Sequence, residues 1–425
     1  MASCSIPLSV GVVGAGIVGL SIALELQRRG HQVTVIDRDT PMLGCSSGNA
    51  GYLSEANIFP PAAPDMLMKL PKLMLDSDGP LVIKPTYAPQ MMSWGWHALA
   101  AVKGDVRASI TRTLAALTTG AYEAILDLAS HANAGHLLSR DGGLVAFKNR
   151  DALEAKCASL PVFQNYGIAV DRLDAAEIHE FEPALAKDIV GGLMFRNSGR
   201  CSNPRQLGLL YAEHLQGNGA RLLQDSIESV DPAEGGGAWL RGSKERLRFD
   251  RVVVCAGFWS KELLRPYVSR IPLASERGYH LMLPKPGVRL RRPVVFGEPH
   301  FAATPMDEGL RLAGTAEFAS ADAPPNVGRA TMLLRLAQQY LTGLDGQDGQ
   351  PWMGVRPSLP DGLPAVGVVP AHPTIQYAFG HAHNGLTLSA VTAKLVASQI
   401  EGAGPHAHSS SLDLHRFQQG FARAA

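Results

Sequence analysis

A spaced set of glycines near the start of the chain carries the clearest chemical signal in the sequence. Gly14, Gly16 and Gly19 form a G-x-G-x-x-G pattern directly after an apolar run, and Asp37 closes the next apolar run. The first glycine permits a tight turn, the second lets the backbone approach a pyrophosphate, and the third lets a helix pack closely on its strand. A carboxylate at the end of the second run suits a ribose hydroxyl and disfavours a 2′-phosphate. The pattern therefore predicts a site for FAD or NAD rather than NADP.

A strand, a helix and a second strand are needed to hold this glycine turn. Residues 10–37 show the sequence patterns expected for these three elements. A valine-rich run predicts the first strand, and Gly30 predicts the end of the helix that follows. Ile17 and Val18 stand at the start of that helix, where free N–H groups and the helix dipole attract phosphates. The second strand ends on Asp37. Because these features fall in order, a plain glycine-rich turn is the weaker interpretation.

A long polar loop follows the second predicted strand. Residues 38–61 are rich in glycine, serine and asparagine and exceed the length of a simple turn. Long loops beside a cofactor fold are usually functional or disordered, and this one offers many backbone N–H groups to a phosphate or a flavin edge. A plain surface loop is the alternative. The predicted cofactor contacts in the loop are Arg38, Cys45, Ser46, Ser47, Asn49, Ala50 and Gly51.

Length, charge and cysteine content bound the class of protein. With 425 residues the chain is long for one core, so we expect two domains. A net charge of +1 and the lack of a basic tract give no reason to expect a nucleic acid partner. The five cysteines are scattered without a C-x-x-C, which argues against a disulfide framework and a structural metal site. We expect a cytoplasmic protein with neither a signal peptide nor a transmembrane helix.

Residues 60–100 differ in character from the rest of the chain. Apolar and aromatic side chains with nearby lysines are what a segment at a membrane surface needs, although packing within the protein is the more ordinary explanation. Both interpretations stay open at this point. The side chains concerned are Met66, Met68, Met74, Met91, Met92, Trp94 and Trp96, with Lys69 and Lys72.

Strands and helices alternate along the rest of the chain. Apolar residues at helical spacing cover residues 106–138, with a break near Gly120. The buried run at residues 251–257 predicts a further parallel strand of the nucleotide domain. Residues 270–320 predict several antiparallel strands, and therefore a second sheet. The C-terminal region returns to glycine-rich apolar sequence, with a helix that starts near Leu386.

The motifs extend over nearly the whole chain: GAGIVGL, CSSGNAG, RVVVCAG, SERGYHLML, RLAGTAEF, WMGVRPSLPDGLPAVG and GHAHNGLTLS. This order resembles the FAD-dependent D-amino acid oxidase superfamily. Within it the sequence is most like bacterial D-amino acid and D-hydroxyproline dehydrogenases, with glycine and sarcosine oxidases as more distant relatives. The resemblance implies an α/β fold, in which a FAD-binding Rossmann-type (glutathione-reductase-like) domain is joined to an α+β substrate domain built on an antiparallel sheet.

The resemblance also implies a division of the chain into discontinuous domains. The FAD-binding domain would contain residues 1–58, 200–270 and 351–425. The substrate or cap domain would contain residues 59–199 and 271–350.

The same resemblance implies where the cofactor lies. The glycine turn and Asp37 would hold the ADP portion, the 46–51 loop would lie near the pyrophosphate and flavin, and residues 383–388 would place N–H groups against the flavin N1/O2 edge. Because residues 351–390 contain no cysteine, we expect non-covalent FAD. Further predicted cofactor contacts are Ala256, Gly257, Trp259, Gly354, Arg356, His383, Asn384, Gly385, Leu386 and Thr387.

The implied chemistry removes a hydride from a substrate Cα, and Arg356 matches the arginine that grips the substrate carboxylate in this superfamily. A fixed, two-pronged cation suits that task better than a lysine. Tyr279 is a candidate second carboxylate contact, although strand alternation turns it away from His280 and sheet packing is the alternative. His381 and His383 are candidates for an amine proton or a substrate contact. Tyr52 is a weaker catalytic candidate, as is Glu55.

The predicted function is oxidative deamination of D-amino acids, including D-proline or D-hydroxyproline, with electrons passed to a quinone or another carrier. An oxygen-using D-amino acid, glycine or sarcosine-type oxidase is the alternative, and a non-catalytic FAD-binding subunit of a larger complex is a rival of another class. A pyridine-nucleotide enzyme would leave the C-terminal glycine-rich region unexplained. We also predict contact with the inner face of the cell membrane and assembly as a homo- or hetero-oligomer.

Overall fold

The computed structural model describes residues 6–61, 79, 81–402 and 408–418. It has an α/β architecture with two principal sheets, which confirms the predicted fold class. The first, here called the parallel sheet, has six strands, of which five run parallel and the last is antiparallel. In sheet order they are Arg221–Gln224, Gln32–Asp37, Ser9–Val13, Arg251–Val254, His372–Phe379 and Ala365–Val369.

The parallel sheet is built from valine-rich runs that are buried on both faces. Val10, Val12 and Val252 are fully inaccessible to solvent, as expected for central parallel strands covered on both sides. Ile17–Arg28 packs between the sheet and the long helix Gly385–Ile400. Residues close to the chain termini therefore meet in one core, which brings the glycine turn and the C-terminal helix to the same edge of the sheet.

The second sheet, here called the large sheet, has nine mostly antiparallel strands and confirms the predicted second sheet. In order they are Gln350–Ser358, Ala274–Leu283, Gly309–Phe318, Phe301–Met306, Val294–Phe296, Gly143–Phe147, Gly191–Phe195 and Val170–Asp174, with Leu81–Ile83 paired to Gly309–Phe318. The strand Gln350–Ser358 belongs to this sheet by its hydrogen bonds, although the predicted division placed residues 351–425 in the FAD-binding domain. The domain limits themselves stay a prediction.

Two small sheets complete the strands, and helices fill the connections. The helical region predicted at residues 106–138 is two helices separated at Gly120, whose φ of +74° lies in the left-handed region that favours glycine. The small sheets contain Ile227–Pro232, Ala238–Gly242 and Arg246–Phe249, and Tyr52–Leu53, Gly199–Cys201 and Leu138–Ser139. The other α-helices are Met92–Ala101, Gly104–Thr118, Ala121–His131, Arg150–Cys157, Leu160–Asn165, Ala175–Phe181, Pro204–Gly217, Ser260–Leu264, Gly328–Ala337 and Ser409–Leu412. Short 3₁₀ helices lie at Pro85–Met91, Gly135–Leu137, Gly257–Trp259, Ala382–Asn384 and Leu414–Phe417.

The apolar 60–100 segment divides into buried and exposed side chains where it is described. Met91 is buried, and Trp94 donates its indole N–H to the Ser358 carbonyl at 3.2 Å. Met92 and Trp96 are 65% and 66% exposed on the helix Met92–Ala101. The other residues named for this segment, Met66, Met68, Met74, Lys69 and Lys72, lie outside the described residues. Across the described ranges, no helix combines the length and apolar character needed to cross a bilayer.

Candidate active site

The glycine turn is shaped so that side chains cannot enter it. A Cβ on Gly14, whose φ is +114°, would lie 2.4 Å from the Cys255 carbonyl oxygen. A Cβ on Gly19 would lie 1.9 Å from the Gly14 carbonyl oxygen. The N-cap residue of the helix Ile17–Arg28 is Gly16, which has no side chain, and the first turn carries no acid; the Ser46 hydroxyl accepts from the Ile17 N–H at 3.1 Å. This helix start is therefore suited to an anionic phosphate.

Asp37 is held at the mouth of this turn by backbone hydrogen bonds. Its carboxylate accepts from the Ala15 N–H at 2.6 Å and from the Asp39 N–H at 3.0 Å. Beside it the Arg38 guanidinium lies 3.9 Å from the centre of the Trp259 ring. A carboxylate next to a planar stacked pair is an arrangement that fits a ribose and an adenine ring.

A cavity of about 490 Å³ connects the glycine turn to the start of the C-terminal helix Gly385–Ile400, and both principal sheets contribute to its wall. Its volume lies in the range of cofactor and ligand sites. The C-terminal helix also starts without a side-chain cap or an early acid among the described residues, which gives the cavity a second partly positive helix end. Predicted site residues in the wall are Gly14, Gly16, Ile17, Val18, Asp37, Arg38, Cys45, Ser46, Asn49, Ala50, Ala256, Gly257, Trp259, Tyr279, Gly354, Arg356, His381, His383, Gly385 and Leu386.

The remaining predicted residues, all in the described part of the chain, do not line the cavity: Gly19, Ser47, Gly51, Tyr52, Glu55, Asn384 and Thr387. The Gly51 N–H donates to the side chain of Asn49, a lining residue, and the Asn384 side chain accepts from Asn57. The Tyr52 ring is packed against Gly143, and burial raises the pKa of its hydroxyl. These positions support the geometry of the cavity.

The 46–51 loop is fixed to the large sheet by two side chains that the sequence analysis did not assign. The Arg311 guanidinium donates to the carbonyl of Asn49 at 2.6 Å and of Ser47 at 3.4 Å. His280 Nδ1 lies 3.0 Å from the Gly48 carbonyl, so the neutral ring carries its proton on that nitrogen. Burial lowers the pKa of His280 to about 3 and that of Arg311 to about 10. No local pattern marks these residues, because their task depends on which loop the sheet meets.

Replacing Arg311 with methionine is expected to raise the FAD dissociation constant roughly tenfold, because hydrogen bonds from a charged donor to two loop carbonyls are lost. The rise in flavin fluorescence on dilution of the holoenzyme measures FAD release. Arg265→Met is the matched control, since the Arg265 side chain is 78% exposed and should leave FAD binding unchanged. Equal FAD affinity in the Arg311 variant and wild type would show that the loop holds its shape without this clamp.

Arg356 lies at the other end of the cavity, on the strand Gln350–Ser358. Its guanidinium covers Gly278 on the neighbouring strand, where a Cβ would lie 2.2 Å from the Arg356 Cζ. Arg356 Nη1 is 3.0 Å from an oxygen of Glu276, the residue directly opposite in the register of the two strands. The structure therefore puts a cation in the cavity wall and pairs it with Glu276, a carboxylate that is not one of the lining residues and that the sequence analysis did not single out.

The two histidines of the 381–383 turn have different surroundings. His381 Nε2 lies 2.9 Å from the Thr392 hydroxyl, and burial lowers the pKa of His381 to about 4. That ring is engaged with the C-terminal helix. His383 lines the cavity, and its pKa is lowered chiefly by burial, with Arg356 lowering it further and Glu276 opposing. An imidazole whose neutral form is favoured by burial therefore interacts electrostatically with both Arg356 and Glu276.

The Tyr279 hydroxyl points to the opposite face of the large sheet. It donates to the Glu317 carboxylate at 2.5 Å and accepts from the Asn326 N–H at 3.2 Å. In the strand register Tyr279 pairs with Met353, whereas Arg356 pairs with Glu276, so alternation separates the two side chains. The structure thus does not bring the Tyr279 hydroxyl to Arg356, and Tyr279 is integrated in sheet packing.

Cysteines near the cavity are in surroundings that keep them protonated. Burial raises the pKa of the Cys45 and Cys255 thiols. It raises the pKa of the Cys201 thiol to about 12. Among the described residues no group of histidine, cysteine and acidic side chains is placed to hold a metal ion.

The fold and the cavity together define a dinucleotide-binding protein in which the large sheet lies against the cofactor site. The chain belongs to the family described as FAD dependent oxidoreductase, whose model matches residues 9–399. FAD is therefore its cofactor. The residues present fit FAD, since the glycine turn, Asp37 and the two helix starts open into one cavity.

Named relatives match over nearly the whole chain. The chain is 33% identical over 413 residues to a D-amino-acid oxidase of Bradyrhizobium diazoefficiens, covering 93% of this chain and 96% of the relative. It is 29% identical to a D-amino acid dehydrogenase of Vibrio atlanticus, covering 96% of this chain and the whole of the relative. A solved structure of glycine oxidase from Geobacillus kaustophilus superposes with a TM-score of 0.74 at 22% identity, covering 96% of this chain and 99% of that one, and shows the shared fold.

Proposed function

We propose that this protein is a FAD-dependent enzyme that oxidises D-amino acids to imino acids, which water hydrolyses to 2-oxo acids and ammonia. The observation that carries the proposal is the Arg356 guanidinium in the wall of the cofactor cavity, close to the neutral imidazole of His383. Bound FAD supplies the acceptor, its N5 atom, for the hydride that leaves the substrate Cα. The relatives named D-amino-acid oxidase and D-amino acid dehydrogenase support this substrate class.

In this proposal the side chains bind, orient and deprotonate the substrate. Arg356 binds the carboxylate through its fixed fork of N–H donors. An amino acid reaches the site with a protonated amine, and the nitrogen must lose one proton before its lone pair can form the C=N bond as the Cα–H pair departs. We assign this proton to His383, whose neutral form burial favours and whose protonated form the neighbouring Glu276 charge stabilises. The imino acid then carries two hydrogens on nitrogen, or one in the case of D-proline, and is hydrolysed by water.

Anaerobic titration of the purified yellow protein tests the proposal. We expect the visible flavin absorbance to bleach with D-amino acids and to stay unchanged with their L-isomers. The panel should include D-proline, D-hydroxyproline, glycine and sarcosine, since these separate the predicted dehydrogenase substrates from those of the alternative oxidases. A flavoprotein that no member reduces would instead be a FAD-binding subunit. Colourless protein that binds NADH would contradict the cofactor assignment.

A quinone or another carrier is the proposed electron acceptor, reached at the inner face of the cell membrane. Support comes from the helix Met92–Ala101, which exposes Met92, Trp96 and Leu99 at positions i, i+4 and i+7 on one face. Purified enzyme that did not bind liposomes and formed one hydrogen peroxide per substrate oxidised would contradict this proposal and favour the oxygen-using alternative. The relative named D-amino-acid oxidase supports that alternative. Assembly as a homo- or hetero-oligomer stays a prediction. The molecular mass of the protein in solution would test it.

A further inference from the structure

The carboxylate-binding arginine already faces a carboxylate. Arg356 Nη1 and Glu276 Oε1 are 3.0 Å apart, and the two side chains are 25% and 13% exposed. They lie directly opposite each other on neighbouring antiparallel strands, and alternation turns both toward the face that also carries Gly278 and Gly354. Backbone pairing fixes the two residues opposite each other, so the Glu276 carboxylate stays within reach of a ligand bound to Arg356.

The charges around this pair balance without a ligand. Arg356 contributes one positive charge and Glu276 one negative charge, and His383, which interacts electrostatically with both, is neutral. A simple carboxylate bound to Arg356 would add an uncompensated negative charge beside Glu276. A zwitterionic amino acid would add one charge of each sign, so that its carboxylate meets Arg356 and its ammonium meets Glu276. Opposite charges placed in this way at a partly buried site discriminate between ligands.

We propose that Glu276 binds the protonated amine of the substrate and makes the site select amino acids over carboxylic acids that lack an amine. This inference rests on the proposed function, because it assigns the carboxylate of the same substrate to Arg356. Glu276 acts together with His383: the carboxylate holds the ammonium group, and the imidazole takes the proton from it. A carboxylic acid without an amine is stabilised by neither Glu276 nor His383, and its carboxylate is repelled by that of Glu276.

Two ligands of nearly equal shape test the proposal in the holoenzyme. α-Aminoisobutyrate has no Cα hydrogen and cannot be oxidised, and pivalate carries a methyl group where α-aminoisobutyrate carries its ammonium. Dissociation constants for both follow from the change in flavin absorbance on binding. In Glu276→Gln we expect α-aminoisobutyrate to bind roughly tenfold more weakly or worse, and pivalate to bind roughly tenfold more tightly, as for loss of one charged contact and one repulsion.

A purely structural role of Glu276 would not shift the dissociation constants of α-aminoisobutyrate and pivalate in opposite directions. If Glu276 only oriented Arg356, both ligands would weaken together, and that result would overturn the proposal, as would no change in either. Glu154→Gln is the matched control, because Glu154 also pairs with an arginine, Arg172, lies outside the cavity wall, and loses the same charge on replacement. It should move neither constant.

If the Glu276 variant loses FAD or fails to fold, the two dissociation constants measured on wild-type protein still test the proposal. Wild type that binds pivalate as tightly as α-aminoisobutyrate would overturn the role of Glu276 without any variant. The proposed function fails in a different measurement, namely when no D-amino acid reduces the flavin of wild type. Reduction by D-amino acids together with parallel shifts of the two ligands would reject only the Glu276 inference.

Discussion

Replacing Arg356 with alanine is expected to raise the D-amino acid concentration at half-maximal rate by roughly a hundred- to a thousandfold, while FAD remains bound with an unchanged spectrum. The guanidinium lies in the cavity wall and is the cation that the proposal assigns to the substrate carboxylate. Truncation of one member of a partly desolvated charge pair has effects of this size. Steady-state kinetics with a reactive D-amino acid, together with flavin absorbance of each preparation, measure both quantities.

Two further variants separate substrate binding from structure. Arg356→Lys keeps the charge but loses the planar fork, so its effect should be intermediate. The double variant Arg356→Ala with Glu276→Gln removes the unpaired carboxylate that the single variant leaves behind, since the two side chains form an ion pair at 3.0 Å. Loss of FAD in both the single and the double variant would mean that Arg356 is structural.

Replacing Gly19 with alanine is expected to yield protein without FAD, destabilised by about 3 kcal/mol or more. The new Cβ would lie 1.9 Å from the Gly14 carbonyl oxygen, which is backbone and cannot turn aside. The helix Ile17–Arg28 would have to move away from the strand Ser9–Val13, and the phosphate site at its start would be lost. Flavin content after purification and the free energy of unfolding measure the effect.

Gly217→Ala is the matched control for this variant. Gly217 is also a helical glycine, at the end of Pro204–Gly217, but a Cβ there meets no atom within 4 Å. The exchange should leave FAD content unchanged and stabilise the protein by about 0.5 to 1 kcal/mol, since alanine restricts the unfolded chain. Full FAD content in the Gly19 variant would show that the helix and strand have room to separate, contrary to the packing described.

The cofactor half of the site could be predicted from the sequence because its determinants are local. Gly14, Gly16 and Gly19 specify a backbone path, and the acid at the end of the second strand follows them at a fixed spacing. Apolar runs likewise predicted the parallel strands, and the strand patterns in residues 270–320 predicted the second, antiparallel sheet. Each of these features is decided by neighbours within about one strand and one helix along the chain, which is why its pattern can be seen in the sequence.

The substrate half depended on contacts between residues far apart in the chain. Alternation predicted that Tyr279 and His280 face opposite ways, but only the assembled sheet showed that the Tyr279 hydroxyl meets Glu317 and that His280 meets the Gly48 carbonyl. The placement of Gln350–Ser358 beside Ala274–Leu283 is a choice of strand partner that neither segment encodes alone.

The sequence by itself therefore determined a FAD-binding fold and pointed to Arg356 through its resemblance to a family. Tertiary structure alone decided what surrounds that arginine. Glu276 stands 80 residues earlier in the chain and becomes its partner only because two strands pair in one register, with a guanidinium to carboxylate distance of 3.0 Å. The physical reason is that charge interactions act through space, whereas a sequence motif records only what is close along the chain.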